Sequence, residues 1–328
     1  MKHWSILTIL AAVLFTLSCI SCNKGSGSDL VNRTNYYRLD AFETGVIPQS
    51  RQVRILFQVK DYWGNGVDGL TLSDFIVTEN GGRIDSEASL KVDPDSIPYS
   101  LKTVLLLDVS SSVTEFVPQI KEATKALVNQ KLDRQEIAIY TFDSQTKLIQ
   151  DFTTDTQTLI DAIEALPETG LTNSTNLYGG ILSVANLWED SYAIDNIEAG
   201  NLIVFTDGRH NATQSLQLSD ATSALQGKKV YVAALNSVDL DENALKAIAS
   251  AESNYFKADN ITALEGTFID IQNEISTLSN SIYYMFYQSP ITDPTPFDNA
   301  LRVRVKDNTN PNLDKEIVEI FSSAGFGG

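Results

Sequence analysis

Thr103-Val104-Leu105-Leu106-Leu107-Asp108-Val109-Ser110-Ser111-Ser112 is the stretch from which the rest of this 328-residue chain can be read. Its apolar beginning predicts a strand buried on both faces, as the inner strands of parallel sheets are. Directly after it, one carboxylate and two hydroxyls stand at alternate positions: Asp108, Ser110 and Ser112. Open α/β sheets place their ligands at the carboxyl ends of such core strands. Hard oxygen donors of this kind suit Mg2+, Mn2+ or Ca2+ and suit zinc or copper poorly.

Two other segments have the matching chemistry. Asn201-Leu202-Ile203-Val204-Phe205-Thr206-Asp207-Gly208 predicts a second core strand ending in an aspartate, with a glycine to turn the chain. Between the two lies Gly170-Leu171-Thr172-Asn173-Ser174-Thr175-Asn176-Leu177-Tyr178, a hydroxyl-rich loop before an apolar helix. Together they resemble a von Willebrand factor type A (VWA) domain and its metal-ion-dependent adhesion site. The pattern there is Asp-x-Ser-x-Ser, then a Thr, then an Asp after a later strand. The resemblance covers roughly residues 100–280. It places Asp108, Ser110, Ser112, Thr175 and Asp207 at the five metal-site positions, with Thr172 as the alternative threonine.

What the resemblance implies is an α/β, Rossmann-like fold with a mostly parallel central sheet flanked by helices. It also implies a Mg2+ site, with Mn2+ or Ca2+ as alternatives. In the family the serines hold the metal directly and the aspartates act largely through water. One coordination position is left for an Asp or Glu carboxylate of a partner protein. The function so implied is metal-dependent adhesion or assembly, without catalysis. One alternative is a structural scaffold in which the metal only rigidifies the loops. A hydrolase built on Ser110 and His210 is the other, but the chain has no Gly-x-Ser-x-Gly elbow and no independent base, and His210 is expected to be an exposed loop residue.

Composition narrows the field further. A formal net charge of −18 argues against nucleic acid, whose binding relies on Lys and Arg at the phosphates. Residues 1–22 are expected to be an export signal, with Lys2 at its start and an apolar run from Ile6 to Leu17. That run is short for a membrane span. The only two cysteines, Cys19 and Cys22, follow it, as in a bacterial lipoprotein leader. Cys22 precedes the polar spacer Asn23-Lys24-Gly25-Ser26-Gly27-Ser28, and either cysteine is a candidate for lipidation. Neither is followed by aspartate, which by analogy with lipoprotein sorting points to the outer membrane of the cell envelope. With both cysteines in the leader, the folded body has no means of forming disulfides or thiolate metal sites.

The remaining periodicities predict a second domain. Val53, Ile55, Phe57 and Val59 alternate with polar residues, Gly64-Asn65-Gly66 turns the chain, and residues 74–82 form another strand and its turn. Helices are expected after Pro118, over residues 215–228, and over Leu264–Leu278, where Leu264, Phe268, Ile271, Ile275 and Leu278 make an apolar stripe. Beyond that helix a period of two returns in residues 283–287, 301–305 and 317–321. The expected organisation is a signal peptide (1–22), a linker (23–36), a first β-sandwich part (37–99), the VWA domain (100–280) and a second β-sandwich part (281–328). The two β parts resemble an immunoglobulin-like module and are expected to pack together, split by the VWA domain.

Overall fold

The computed structural model describes residues 33–84, 90–92, 97–168, 172–212 and 215–327. The expected signal peptide, both candidate lipidation cysteines and most of the spacer lie outside the described residues.

The strand ending in Asp108 is the centre of the parallel sheet. β6 (Tyr99–Asp108) pairs in parallel with β7 (Gln135–Phe142) on one side and β10 (Asn196–Thr206) on the other. β11 (Lys229–Leu235) and β12 (Tyr255–Ala258) continue the parallel sheet beyond β10. Two antiparallel strands complete it: β8 (Thr146–Thr153) beside β7, and the short β9 (Ser191–Ala193) beside β10. Alternate side chains of β6 go to opposite faces. Leu105 and Leu107 meet α1 (Val117–Asn129), α2 (Thr156–Glu164) and α6 (Leu264–Asn280). Val104 and Leu106 meet α3 (Leu177–Val184), α4 (Leu218–Ala224) and α5 (Glu242–Ile248). Burial on both faces is why the run carries no alternation.

Two helices depart from the sequence expectation. The one expected over 215–228 is confined to Leu218–Ala224: Lys228 N–H returns to Leu225 O at 3.0 Å and Gly227 takes a left-handed φ of 79°, which ends the helix. In α6 the buried stripe also contains a polar residue, Gln272, fully buried. Its amide exchanges hydrogen bonds with that of Gln135 (2.9 and 3.1 Å), and Gln135 also donates to Thr103 Oγ1 at 2.9 Å. Paired amides are tolerated in a core because each satisfies the other.

The β segments on either side of the parallel-sheet region close into one sandwich. One sheet has the order β1 (Arg38–Ile47), β2 (Gln52–Lys60), β13 (Ile282–Gln288), β5 (Lys91–Val92). The other has β15 (Glu316–Phe321), β14 (Asn299–Val305), β3 (Phe75–Glu79), β4 (Gly82–Ile84). Each sheet therefore joins strands from before and after the parallel sheet, with Phe57 opposite Tyr283 and Val77 opposite Val303. Ile55, Phe57, Met285, Val303 and Phe321 share its core. Tyr36, at the end of the expected linker, is 6% exposed and packs edge-on against Tyr62 at 5.1 Å.

A buried carboxylate clamps the two halves. Glu79, 4% exposed, accepts from Tyr287 Oη and Ser289 Oγ, both at 2.7 Å. Burial, and then the Glu79 carboxylate, hold the Tyr287 phenol far above its ordinary value, so it remains a donor. Glu79→Ala leaves two buried hydroxyls without acceptors and is expected to lower the unfolding free energy by about 2–3 kcal/mol. Urea unfolding of Glu79→Ala beside Glu79→Gln checks this, the glutamine variant falling between Ala and the parent.

Candidate metal centre

Asp108 closes β6 opposite Phe142 of β7, and Asp207 follows the last residue of β10. Because β6 lies between β7 and β10, with chain crossovers leaving on either side, the two aspartates meet at a switch point of the sheet. Asp108 is completely buried. Its Oδ1 accepts the Ser110 N–H at 2.9 Å, turning the chain off the strand, and its Oδ2 accepts from Thr206 Oγ1 at 2.6 Å. Ser110 Oγ and Ser112 Oγ are 3.1 Å apart, and Ser112 Oγ donates to Asp207 Oδ1 at 2.9 Å. One hydrogen-bonded chain thus links both serines with Asp207, and Asp108 lies directly beneath it.

Thr175 reaches the same place from the loop before α3. It lines, with Ser110, Ser112 and Asp207, a single cleft of about 450 Å3. Its backbone is fixed against the loop after β10: Thr175 N–H donates to Asn211 Oδ1 at 2.6 Å, and Asn211 N–H to Thr175 O at 3.1 Å. Two further ties set the first loop against the second. Ser111 N–H donates to Thr172 O at 2.8 Å, and Ser111 Oγ to Asn173 Oδ1 at 2.5 Å. Thr172, the alternative threonine, serves the site through its carbonyl and is not among the cleft-lining residues. Asn176 caps α3 by accepting Gly179 N–H at 3.2 Å.

The electrostatics follow from burial. Desolvation pushes the Asp108 carboxyl up to about 6, against the opposing hydrogen bonds from Thr206 and Ser110. Desolvation likewise raises Asp207, with the Ser112 hydroxyl opposing and the Asp239 charge adding to the rise. Two carboxylates whose charged forms are disfavoured by the protein alone are a setting that a cation would relieve. The donors available are three neutral hydroxyls and two carboxylates. Among the described residues no group of three or more His, Cys, Asp or Glu side chains converges on a point. The chemistry of the five therefore fits a hard divalent ion of low demand for direct negative charge.

Several contributors were not singled out from sequence. Thr206 is one; its only sequence signal is its place beside Asp207 at a strand end. Asn211 and Asn173 tie the loops, and Ser237 Oγ bonds the Asp207 carbonyl. Asp143 holds structure next to the centre: its carbonyl accepts Asn176 N–H at 2.7 Å and its carboxylate accepts Gln145 N–H at 3.0 Å. Burial works to raise that carboxyl, but the Gln145 N–H and the Lys147 charge outweigh it and the net direction is down. His210 corrects an expectation. It is half-buried instead of exposed, stacked on Tyr178 with ring centroids 4.1 Å apart, and its Nδ1 accepts the Tyr178 N–H at 3.4 Å. Tyr178 enters the first turn of α3 beside the loop carrying His210, and burial lowers the imidazole pKa. Ser110 Oγ has Ser112 as its partner.

Residues 103–271 match the von Willebrand factor type A domain. The chain belongs to the VWA family. No curated protein matches it. Among solved structures, proximal thread matrix protein 1 from the mussel byssus is similar at 16% identity and a TM-score of 0.47, over 55% of this chain and 49% of that one. A structure of the same mussel protein with a zinc-occupied MIDAS motif is similar at 18% identity and a TM-score of 0.45, over 61% and 50% of the two chains. The von Willebrand factor domain of a type V pili tip protein from Porphyromonas gingivalis is similar at 15% identity and a TM-score of 0.44, over 55% of this chain and 96% of that one. The chain thus spans about half the length of the mussel protein. In this VWA domain the mostly parallel central sheet and its flanking helices are as the family fold requires. No helix among the described residues is long and apolar enough to cross a membrane.

Proposed function

We propose that this VWA protein is an envelope-anchored binding module without catalytic activity. Its cleft would hold Mg2+ through Ser110, Ser112, Thr175, Asp108 and Asp207, and the ion would take an Asp or Glu carboxylate from a partner protein. The observation that carries the reading is the hydrogen-bonded run Ser110–Ser112–Asp207 above the buried Asp108, within one open cleft. A bound divalent ion supplies positive charge and an exchangeable coordination position. The protein's own part is to hold the oxygens. Thr206 orients Asp108, and the Ser110 N–H fixes its other oxygen. Ser112 is exposed at the surface and Asp207 is buried, so an incoming acid meets hydroxyls before carboxylates. The absence of catalysis is supported by the histidine: His210 is turned onto Tyr178 and Ser110 onto Ser112, which leaves the serine no paired base.

A leader ending near Cys22 or Cys19 would give a lipid anchor in the outer membrane, and the split sandwich would carry the VWA domain above it. Calorimetry with Mg2+ tests the centre. Uptake by the parent protein is expected, and Ser112→Ala and Thr175→Val are expected to weaken it by roughly 10–100-fold or more, the range known even for groups outside the ligand shell. Unchanged Mg2+ uptake by both folded variants would falsify the proposed ligand set.

A further inference from the structure

A tight turn on the sandwich holds an indole in water at the point where the described chain begins. Trp63 is 63% exposed. Its turn is built firmly. Asp61 N–H donates to Asn65 O at 2.9 Å and Gly64 N–H to Asp61 O at 3.2 Å, with Gly64 at a φ of 89°. The Asp61 carboxylate accepts Trp63 N–H and Asn65 N–H, both at 2.9 Å, so the turn's own acid faces inward. Gly66 then passes so close to α6 that a Cβ there would stand 2.7 Å from the Thr277 carbonyl. A turn braced in this way cannot fold its tryptophan back under cover.

The surroundings of Trp63 have one consistent chemistry. Tyr62 lies edge-on to it at 5.6 Å, and Tyr36 edge-on to Tyr62 at 5.1 Å. The Arg33 guanidinium sits 4.7 Å from the Tyr62 ring centre and 5.8 Å from that of Trp63. Tryptophan, tyrosine and arginine presented together are the side chains that settle in the headgroup layer of a bilayer, where a ring is half in hydrocarbon and its polar edge stays wet.

We propose that this face lies on the lipid surface to which the protein is anchored, with the Trp63 indole in the headgroup layer. The inference rests on the lipid-anchor reading given above. Ten residues separate Cys22 from Arg33 and thirteen separate Cys19 from it, so the tether reaches at most about 35 Å or about 45 Å. The occupant is thus a bilayer held within that distance of Trp63.

The test uses the lipidated protein reconstituted into phosphatidylethanolamine–phosphatidylglycerol vesicles with either ordinary or brominated acyl chains. Once the leader is removed, Trp63 and Trp188 are the only tryptophans, and Trp188 is 5% exposed inside the VWA core. Brominated lipid is expected to quench part of the emission of the parent protein and none of that of Trp63→Phe, whose remaining signal comes from Trp188. Protein that floats with the vesicles but is quenched equally little in both forms overturns the inference and leaves the anchor standing. Protein that does not float with them overturns the anchor, and this inference with it.

Discussion

In chelator at pH 7, Asp108→Asn protein is expected to unfold at a higher temperature than the parent protein while taking up no Mg2+. The Asp108 carboxyl is raised from 3.8 to about 6 by burial, which corresponds to about 3 kcal/mol disfavouring its charged form in the folded state. An amide carries no such charge. It surrenders one of the two acceptor contacts to Ser110 and Thr206, at about 1 kcal/mol. The net expectation is a gain of about 2 kcal/mol for the cation-free variant.

The pH dependence has a definite sign. A carboxyl raised on folding holds its proton in the folded state at pH values where the unfolded chain has already lost it. Between about pH 4 and pH 6 the folded state therefore binds more protons, and the stability due to this group falls as pH rises through that window. The advantage of Asp108→Asn should accordingly be large at pH 7 and small near pH 4. Excess Mg2+ should reverse the order at pH 7, because binding to the folded parent alone adds about 2.7 kcal/mol at a concentration one hundred times Kd. Thermal unfolding at pH 4.5 and 7, with EDTA or Mg2+, measures all four conditions. An asparagine variant that melts below the parent in EDTA at pH 7 would show that the carboxylate is not held against its charge.

Gly200→Ala is the second change with a large expected effect, and it acts far from the cleft. Gly200 lies in β10, where a Cβ would stand 2.1 Å from Trp188 Cδ1 and 2.4 Å from Cγ. Trp188 is buried in the α3–α4–α5 face of the core, and Lys228 closes over its ring at 4.6 Å while its ammonium donates to the Trp188 carbonyl. The ring has no free direction in which to retreat. Overpacking of this kind costs about 1–3 kcal/mol, and rigid partners put it at the upper end. A loss of about 3 kcal/mol in urea unfolding, relieved by the double change with Trp188→Leu, is expected. Additive effects of the two substitutions would show that the ring and the strand do not meet.

The glycine also shows where sequence reading stops. A glycine inside a strand marks a close approach of something to the backbone, but that something, twelve residues earlier in the chain, is settled only by how the loop carrying Trp188 folds over β10. The same division applies to the cleft. Asp108, Ser110, Ser112, Thr175 and Asp207 could be nominated as candidates because each stands next to an apolar strand or an apolar helix start that is visible locally. Thr206 could not, because its role is a bond to a residue 98 positions away. His210 was misplaced for a similar reason: its cover is Tyr178, and nothing near His210 in the chain announces an aromatic partner.

Strand and helix identities came from short-range periodicity, which reports how many faces of an element are buried, and β6 declared itself by being apolar on both. That the two β parts pack together could be expected from two stretches of period two, but which strands pair, and in what register, could not. Register depends on which side chains interlock across the sandwich, and Glu79 between Tyr287 and Ser289 is a contact of that sort. Local patterning sufficed to order the layers of this protein and to nominate its oxygen donors. Tertiary packing alone determined which of those oxygens are dry, because burial is a property of neighbours brought in from elsewhere in the chain, and dryness is what raises Asp108.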